Sequence, residues 1–272
     1  MHNNANQISM EDFEKVMFLR DISESCIWTD RMLATLVKGV KRGKWYSLMD
    51  KVLSRANIEV STNKVLKNGG APGIDSITVE RYASNREHYT EKLIEELRCN
   101  VYNPKPVKRI YIVKTGSREK RPLGIPAVKD RIVQRALLNV VEPIFEKDFS
   151  DCSYGFRPKR SCKDALKEVD YLIKNGFSYV LDADIKGYFD SISHEKVLKL
   201  IEKKITDSRI LELIKKFLRQ DVMKLTLNID KTITVDMNSV GASFDFLGYS
   251  FLNSKNRIQT STLEKEPEKI QR

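Results

Sequence analysis

The chain has 272 residues and a mass of 31.4 kDa, and 41% of its residues are hydrophobic, which is enough for one or two folded domains and excludes a disordered chain. Lysine and arginine outnumber aspartate and glutamate by 48 to 37, giving a net charge of +11, which favours a polyanionic partner such as nucleic acid. No apolar run approaches the roughly 20 residues of a membrane-spanning helix and the first residues lack the pattern of a signal peptide, so we expect a cytoplasmic protein.

The first hundred residues are mostly helical in pattern. Amphipathic spacing predicts two or three helices within residues 1–60. A loop is expected at residues 68–75 (NGGAPGID), where glycine and proline are concentrated. Thr78 then begins a helical pattern that runs to Leu97, with Thr90 as a second expected cap.

A strongly basic ribbon follows. Residues 109–113 (RIYIV) and 121–125 (RPLGI) are short β-prone runs on either side of the turn-like residues 114–118, so we expect a two-stranded ribbon with a basic tip. Between positions 105 and 135 there are ten lysines and arginines and two acidic residues, a net charge of +8. This arrangement is typical of a phosphate-binding finger, and the alternative is a basic hairpin that is simply solvated.

Four aromatic residues lie in or near the basic segment. They are Tyr102, Tyr111, Tyr154 and Phe156. Aromatic rings of this kind stack on nucleic-acid bases, but at these spacings they more often belong to the core. No single one is therefore assigned a role.

Helices and strands alternate in the second half. A helical pattern covers residues 132–145, where Pro143 is expected to bend or end the helix, and a second begins after Ser161, whose hydroxyl can cap it. Residues 178–185 are predicted to form a strand, and residues 193–217 return to helix with a break near residues 206–207. Strands are expected within 225–235 and 244–251, so the class is α+β.

The four cysteines are not arranged for metal or disulfide chemistry. They lie far apart, without a Cys-x-x-Cys pair, and the three histidines do not cluster with them. We expect neither a zinc site nor a disulfide framework, and we expect the thiols to be buried as small apolar side chains in a reducing compartment. The cysteines are Cys26, Cys99, Cys152 and Cys162.

Two carboxylates stand out in the predicted strand at 178–185. Asp182 and Asp184 are two residues apart, so on a continuous strand both would project from one face. Hard oxygen ligands suit Mg²⁺, which usually binds one or two carboxylates together with water and substrate phosphates. The alternative is an exposed strand end without a ligand.

Several separated motifs resemble one family. Residues 180–190 (VLDADIKGYFD) closely resemble the first catalytic motif of group II intron-encoded reverse transcriptases. Other segments are similar to further motifs of this family in the same order, and the similarity covers about Trp45 to Phe251. They are the amino-terminal motif at 70–75, the fingers hairpin at 112–126, the segment before the palm strand at 153–158 (SYGFRP), and the last palm motif and its hairpin at 227–232 and 244–249.

The resemblance implies a fingers-and-palm polymerase that copies RNA into DNA with two Mg²⁺ ions. By matching positions, Asp184 would be the catalytic, metal-binding carboxylate. Phe189 would lie under the nucleotide sugar and reject a 2′-hydroxyl, and Lys114 and Arg121 would hold the triphosphate of the incoming deoxynucleotide. The partners would be intron RNA or a template and primer, and the ribbon cations expected to contact RNA are Lys108, Arg109, Arg118 and Lys120.

The sequence departs from this family between Phe217 and Leu227. The family has a Gln-Gly-rich motif and then a Tyr-Ala-Asp-Asp turn here, and neither is present, so we expect an internal deletion near residues 223/224. That turn supplies carboxylates that clamp the two ions, and Asp182 is a poor substitute because it lies about 7 Å away along the same strand. We therefore expect this chain to be inactive as a polymerase and to expose apolar palm surface.

The expected domains are an N-terminal helical extension (1–60), fingers (61–160), a partial palm (161–252), and a C-terminal hairpin remnant with a tail (253–272), without the family's thumb and later modules. Three functional hypotheses remain. The chain is an internally deleted and inactive reverse transcriptase, a non-catalytic RNA-binding remnant similar to a maturase, or a decayed reading frame whose product folds poorly.

Overall fold

The computed structural model describes residues 9–40, 43–113, 120–186, 188–219, 226–227, 233–236, 242–246, 249–254 and 257–262. The helices within these ranges are α1 (Met10–Ile22), α2 (Asp30–Lys38), α3 (Met49–Val52), α4 (Arg55–Asn68), α5 (Val79–Ser84), α6 (Arg86–Arg98), α7 (Val128–Glu146), α8 (Cys162–Lys174), α9 (Tyr188–Ser191), α10 (His194–Glu202) and α11 (Ser208–Leu218). The strands are β1 (Lys108–Val113), β2 (Lys120–Ile125), β3 (Tyr179–Asp182), β4 (Ile185–Lys186), β5 (Thr226–Leu227), β6 (Ile233–Asp236), β7 (Ser243–Phe246), β8 (Tyr249–Ser254) and β9 (Arg257–Thr262). The mixture of helices and strands agrees with the predicted α+β class.

The chain divides into two compact units. Unit 1 comprises Met1–Asp148 and Ile192–Met223, and unit 2 comprises Phe149–Ser191 and Lys224–Arg272. The predicted domain boundaries differ from this division, because α10 and α11 belong to unit 1 and the residues just before α8 belong to unit 2. Assignment of the units to fingers and palm remains a prediction.

The core of unit 1 is built around α7. Apolar side chains of α7 such as Ile132 and Val140 are fully buried together with Leu36, Val52 and Ile58 from the preceding helices. Removal of these side chains from water is the main stabilising contribution to such a core. Unit 1 therefore has the continuous apolar interior that an independently folded body needs.

A polar network crosses this core. The side-chain amide of Asn57 in α4 donates to the carbonyl oxygen of Ala136 over 2.9 Å. Its own oxygen accepts from Nδ2 of Asn139 over 2.9 Å, and that nitrogen also donates to Oγ of Ser61 over 3.1 Å. Because buried polar groups are costly unless they are paired, this network fixes the register of α4 on α7.

Asp207 joins α11 to α3. Its Oδ1 accepts from the backbone nitrogens of Arg209 and Ile210 over 3.0 and 3.3 Å, which is an N-cap for α11. Its Oδ2 accepts from the backbone nitrogens of Leu48 and Met49 over 2.7 and 2.9 Å, where α3 begins. One carboxylate therefore pairs unsatisfied N–H groups of two helices that are far apart in sequence.

A second link ties the same two stretches of unit 1 together. Trp45 and Ile205 form a parallel bridge, with Trp45 N donating to the carbonyl of Lys204 over 2.7 Å. Ile205 and Ile210 are fully buried in the unit 1 core. These contacts explain why α10 and α11 fold with unit 1.

Two of the three predicted helix caps are present in the structure. Ser161 forms a full capping box with Asp164 at the start of α8, which confirms the predicted cap. Thr78 caps α5 as expected, but α6 begins after Asn85, and Thr90 is buried within α6, so the second predicted cap is wrong. Pro143 lies inside α7, which continues to Glu146, so the proline does not end the helix.

Strand pairing in unit 2 is antiparallel throughout the described residues. β3 pairs with β6 from Tyr179↔Asp236 to Asp182↔Ile233, and β4 pairs with β5. β7, β8 and β9 form a three-stranded meander. The sequence pattern predicted strands in the regions of β5 to β8, but it did not predict β9.

All four cysteines are exposed and free, so the prediction that they are buried is wrong. The reason is their position. Cys99 is the C-cap of α6, Cys162 is the first residue of α8, and Cys26 and Cys152 lie in turns. These places are at the surface regardless of the apolar character of the side chain.

No helix of the described ranges is long and apolar enough to cross a membrane.

Candidate nucleic-acid interface

The predicted ribbon is present. β1 and β2 pair antiparallel over six positions, from Lys108↔Ile125 to Val113↔Lys120. Lys108 and Arg109 are exposed at the start of β1, and Tyr111 is 63% exposed on the same strand. A two-stranded ribbon with its apolar side chains in water gains little from core packing. Lys108, Arg109 and Tyr111 are therefore part of the surface that the ribbon presents to solvent.

Other predicted residues of the ribbon cannot be placed as side chains. Lys114 and Arg118 lie outside the described residues. Lys120 and Arg121 are described only as backbone in β2, where Arg121 pairs with Ile112. Their roles toward nucleotide or RNA remain predictions.

Part of the positive charge counted in the sequence is used inside unit 1. Lys129 pairs with Glu96 over 2.7 Å, and its ammonium lies 5.4 Å from the ring centroid of Tyr102. Lys105 pairs with Asp75 over 3.2 Å. The charge count therefore overstates how many cations are exposed to a ligand. Lys108 and Arg109 of the predicted ribbon are exposed.

Arg131 holds the glycine-rich loop at 68–75 against α7. Its two terminal nitrogens donate to the carbonyl oxygens of Gly69 and Ala71 over 2.9 and 3.1 Å, and burial lowers the pKa of its guanidinium. A Cβ atom added at Gly73 would lie 2.6 Å from the backbone nitrogen and Cα of Ala127. The loop is therefore fixed at the beginning of α7, beside the base of the ribbon.

The carboxylate segment differs from the prediction. β3 ends at Asp182, and Ala183 and Asp184 lie between β3 and β4, so the two carboxylates are not on one continuous strand. The pairing shows the same interruption, because β3 pairs with β6 up to Asp182 whereas β4 pairs with β5 from Ile185. Asp182 is half-buried and Asp184 is exposed. The prediction that both share one face of a strand is therefore wrong.

The described donors do not form a two-metal site. No group of three or more His, Cys, Asp or Glu side chains capable of holding a metal ion occurs among the described residues. Asp184 is the exposed carboxylate that the resemblance assigns to metal binding. Phe189, assigned to the nucleotide sugar, lies in α9, and its side chain is outside the described part of the structure.

Unit 2 exposes apolar surface next to the carboxylate segment. A cavity of about 340 Å³ lies between α8 and β3 and is lined mainly by apolar side chains such as Leu172, Phe177 and Leu181. Tyr179 and Leu181 are both more than two-thirds exposed. Within the described residues, this face of β3 is not covered in the way a central strand of a palm would be.

The four aromatic residues that were left unassigned behave differently from one another. Tyr102 is fully buried and Tyr154 is half-buried, whereas Tyr111 and Phe156 are exposed. Of the two alternatives, Tyr102 therefore fits the core, whereas Tyr111 and Phe156 do not. The sequence signal for Phe156 was its position in a Gly-Phe-Arg-Pro segment that is followed by Lys159 and Arg160.

The motifs, the ribbon and the mixed fold agree with a comparison against protein families. Residues 112–251, just over half of the chain, match the family described as reverse transcriptase (RNA-dependent DNA polymerase). The chain belongs to the reverse transcriptase family.

Similar proteins point, within this family, to proteins encoded by group II introns. The chain is 40% identical over 153 residues to the group II intron-encoded protein LtrA of Lactococcus lactis subsp. cremoris, covering 56% of this chain and 25% of LtrA. It is 36% identical over 157 residues to protein YkfC of Escherichia coli K12, covering 56% and 41% of the two chains. It is 37% identical over 171 residues to an uncharacterized 91 kDa protein in the cob intron of Schizosaccharomyces pombe, covering 62% and 21%. These relatives confirm the resemblance, and the chain spans less than half of the length of each.

Proposed function

We propose that this chain binds RNA through the β1–β2 ribbon and does not copy RNA into DNA by itself. The observation that carries the proposal is the exposed basic surface of the ribbon, where Arg109 and Tyr111 lie on one face of β1 and Lys108 lies on the other. Cations and an aromatic ring on an extended ribbon are typical of a surface that contacts phosphates and bases. The RNA class that the family supports is intron RNA.

The sequence supports the absence of polymerase activity. Two-metal catalysis needs carboxylates from neighbouring strands to hold ions about 3.5–4 Å apart. The tract that would carry the Tyr-Ala-Asp-Asp turn is missing between Phe217 and Leu227. The described side chains do not replace it. Mg²⁺, deoxynucleotides and the roles of Asp184, Phe189, Lys114 and Arg121 are family expectations that require the missing carboxylates.

The hypothesis of a decayed, poorly folding product is less well supported for unit 1. Its core includes fully buried Leu33, Leu36, Val52 and Ile132, and the Asn57–Asn139 pair is hydrogen-bonded within it. A single domain with a continuous buried core is expected to unfold cooperatively. The hypothesis applies better to unit 2, which exposes apolar surface.

The test is RNA binding and primer extension on one preparation of the full chain. Binding to a labelled structured RNA is measured by fluorescence anisotropy at several salt concentrations. We expect affinity to fall steeply with salt and the double variant Lys108→Ala/Arg109→Ala to reduce the logarithmic salt slope by about 1.5, because two phosphate contacts are lost.

The matched control removes two positive charges elsewhere in unit 1. Lys15 and Lys199 are exposed lysines on α1 and α10, each paired with a glutamate on its own helix. Lys15→Ala/Lys199→Ala should leave the salt slope nearly unchanged. Equal effects of the two double variants would reject the ribbon as the contact surface.

Primer extension separates binding from catalysis. We expect no Mg²⁺-dependent extension on an RNA template. Asp184→Ala should not weaken RNA binding, because the change removes no positive charge. Extension that is abolished by Asp184→Ala would overturn the non-catalytic part of the proposal.

A further inference from the structure

The loop that precedes α8 presents a phenylalanine to solvent. This loop, residues 149–160, belongs to unit 2, and the side chain of Phe156 is 98% exposed. No other large apolar side chain among the described residues is as exposed. Such exposure of a whole aromatic ring is unfavourable in water unless a ligand covers it.

The backbone at Phe156 is also unusual. Its φ angle is +56°, in the left-handed region, and Lys159 has the same value. A positive φ is a genuine outlier for a bulky residue. The neighbouring Gly155, which could adopt a positive φ without strain, does not have one. The unfavourable conformation is therefore adopted by Phe156 itself. Conformations of this kind persist where the surrounding structure fixes them, and they are concentrated at binding sites.

Two arginines fix the loop from within. Arg157 is 9% exposed and donates from Nη1 to the carbonyl oxygens of Ser150 and Ser153 over 2.5 and 2.9 Å. Its guanidinium lies 5.3 Å from the ring centroid of Phe149, a distance typical of a cation–π contact. Side chains of Phe156 and Arg157 therefore take opposite roles, the first directed to solvent and the second inserted into the loop.

The second arginine closes the other end of the loop. Arg160 donates to the carbonyl oxygen and to Oδ1 of Asp151 over 2.5 and 2.9 Å. The capping box of Ser161 and Asp164 follows at once and fixes the start of α8. The loop is thus held at both ends, and Phe156 is presented at its turn with little backbone freedom to lose on binding.

We propose that Phe156 stacks on an unpaired base of a single-stranded RNA and that the exposed Lys159 contacts the adjoining phosphate. The charge supports a nucleic acid, because Lys159 is exposed three residues after Phe156, while Arg157 and Arg160 are engaged within the loop. An exposed aromatic ring beside a cation is typical of surfaces that bind single strands. The interior of a duplex would not offer the face of a base to the ring, because its bases are stacked on one another, and a duplex offers only its two end faces.

This inference rests on the proposed RNA binding but concerns a different surface. The ribbon belongs to unit 1 and carries phosphate contacts, whereas the 149–160 loop belongs to unit 2 and would contact a base. The two surfaces make separable predictions. Loss of the ribbon cations should weaken binding to any RNA, and loss of the Phe156 ring should weaken binding to single strands.

The test measures binding of the full chain to an unstructured, labelled oligoribonucleotide of about 16 nucleotides and to a blunt duplex of the same length. We expect Phe156→Ala to weaken single-strand binding on the order of tenfold, as expected for one lost stacking contact, and Phe156→Trp to retain it. Duplex binding should not change. The matched control is Tyr171→Ala, which removes an exposed aromatic ring from α8 in the same unit.

A spectroscopic measurement gives a direct readout of stacking. The indole introduced by Phe156→Trp should be quenched when the single-stranded oligonucleotide is added, and a Tyr171→Trp variant should be quenched much less. The inference is rejected if Phe156→Ala binds the single strand as tightly as the unchanged protein, or if the indole at position 156 does not respond.

The same data distinguish the two proposals. If the ribbon variant loses affinity and the Phe156 variants do not, the proposed function stands and this inference fails. If the unchanged protein binds neither RNA, both are overturned. Circular dichroism of each variant, compared with the unchanged protein, identifies a folding defect, and the Phe156→Trp result then decides the question because that variant keeps an aromatic ring.

Discussion

The indole nitrogen of Trp28 donates a hydrogen bond of 3.1 Å to the carbonyl oxygen of Asn139, four residues before Pro143 in α7. Proline has no N–H group, so this carbonyl lacks its ordinary partner within the helix. Trp28 is buried and supplies the missing donor from outside the helix. The pair explains how α7 continues through a proline in the core of unit 1.

We predict that the two side chains are energetically coupled. Trp28→Phe keeps an aromatic ring but removes the donor, and the buried carbonyl left unpaired should cost about 1–3 kcal/mol of stability. In a Pro143→Ala background the new N–H group can pair with the same carbonyl, so Trp28→Phe should cost less there. Urea unfolding followed by circular dichroism gives the double-mutant cycle. Equal costs in both backgrounds would show that the indole hydrogen bond does not replace the helical one.

Tyr102 and Asp130 give a prediction with a pH dependence. Burial raises the pKa of the Asp130 carboxyl, and hydrogen bonds from the Tyr102 hydroxyl, over 2.6 Å, and from the Lys105 N–H oppose this rise. Because the native state then holds this proton more tightly than the unfolded state, the stability contributed by Asp130 falls as pH rises from about 4 through its native pKa.

Tyr102→Phe removes one of the opposing hydrogen bonds and so raises the native pKa of Asp130 further. We expect the variant to be less stable than the unchanged protein above that pKa, and the difference should shrink as the pH falls below it. Urea unfolding at a series of pH values measures this difference. Tyr111→Phe, at an exposed tyrosine, is the control and should show no such trend. A difference for Tyr102→Phe that is constant with pH would contradict the assignment.

Two glycines allow a matched test of packing. An added Cβ at Gly73 would lie 2.6 Å from backbone atoms of Ala127, whereas one at Gly155 would meet no atom within 4 Å. Gly73→Ala should therefore destabilise unit 1 by about 1–3 kcal/mol, because the contact is with backbone that cannot rotate away. Gly155→Ala should be close to neutral. Thermal or urea unfolding of the two variants checks this, and similar stabilities would show that the 68–75 loop is not fixed to the start of α7.

The exposed thiols predict ready chemical modification. All four cysteines should react with a disulfide reagent such as DTNB in the native protein, without denaturant. Cys99 should be slowest near neutral pH, because its thiol donates to Glu95 over 3.0 Å and this contact raises its pKa, which lowers the thiolate fraction. Cys99→Ser should remove the slow phase and Glu95→Gln should accelerate it. Thiols that react only after unfolding would contradict the observed exposure.

Local features of this fold were predictable from the sequence, and distant pairings were not. The caps at Thr78 and Ser161 and the β1–β2 ribbon depend on neighbouring residues, and the structure confirms them. The break after Asp182 depends on how β3 and β4 pair with two separate later strands. No periodicity within residues 178–185 carries that information.

The candidate interface shows the same division. Composition identified the basic ribbon, but a charge count does not show that Lys105 and Lys129 are paired with acidic residues inside unit 1. Spacing left Phe156 open between a core residue and a ring that stacks on bases. Its exposure accompanies the insertion of the next side chain, Arg157, which donates to the carbonyl oxygens of Ser150 and Ser153, and spacing alone does not predict these contacts.

The discontinuity of unit 1 affects how the protein is made. Unit 1 is completed by contacts between residues far apart in the chain, because Trp45 pairs with Ile205 and the N–H groups of Leu48 and Met49 donate to Asp207. During translation these contacts cannot form until α11 has left the ribosome. The apolar side chains that α11 covers therefore stay exposed on the nascent chain over most of its synthesis. Contacts of such long sequence separation also form slowly. Completion of unit 1 is therefore a late event, after the β1–β2 ribbon has already emerged.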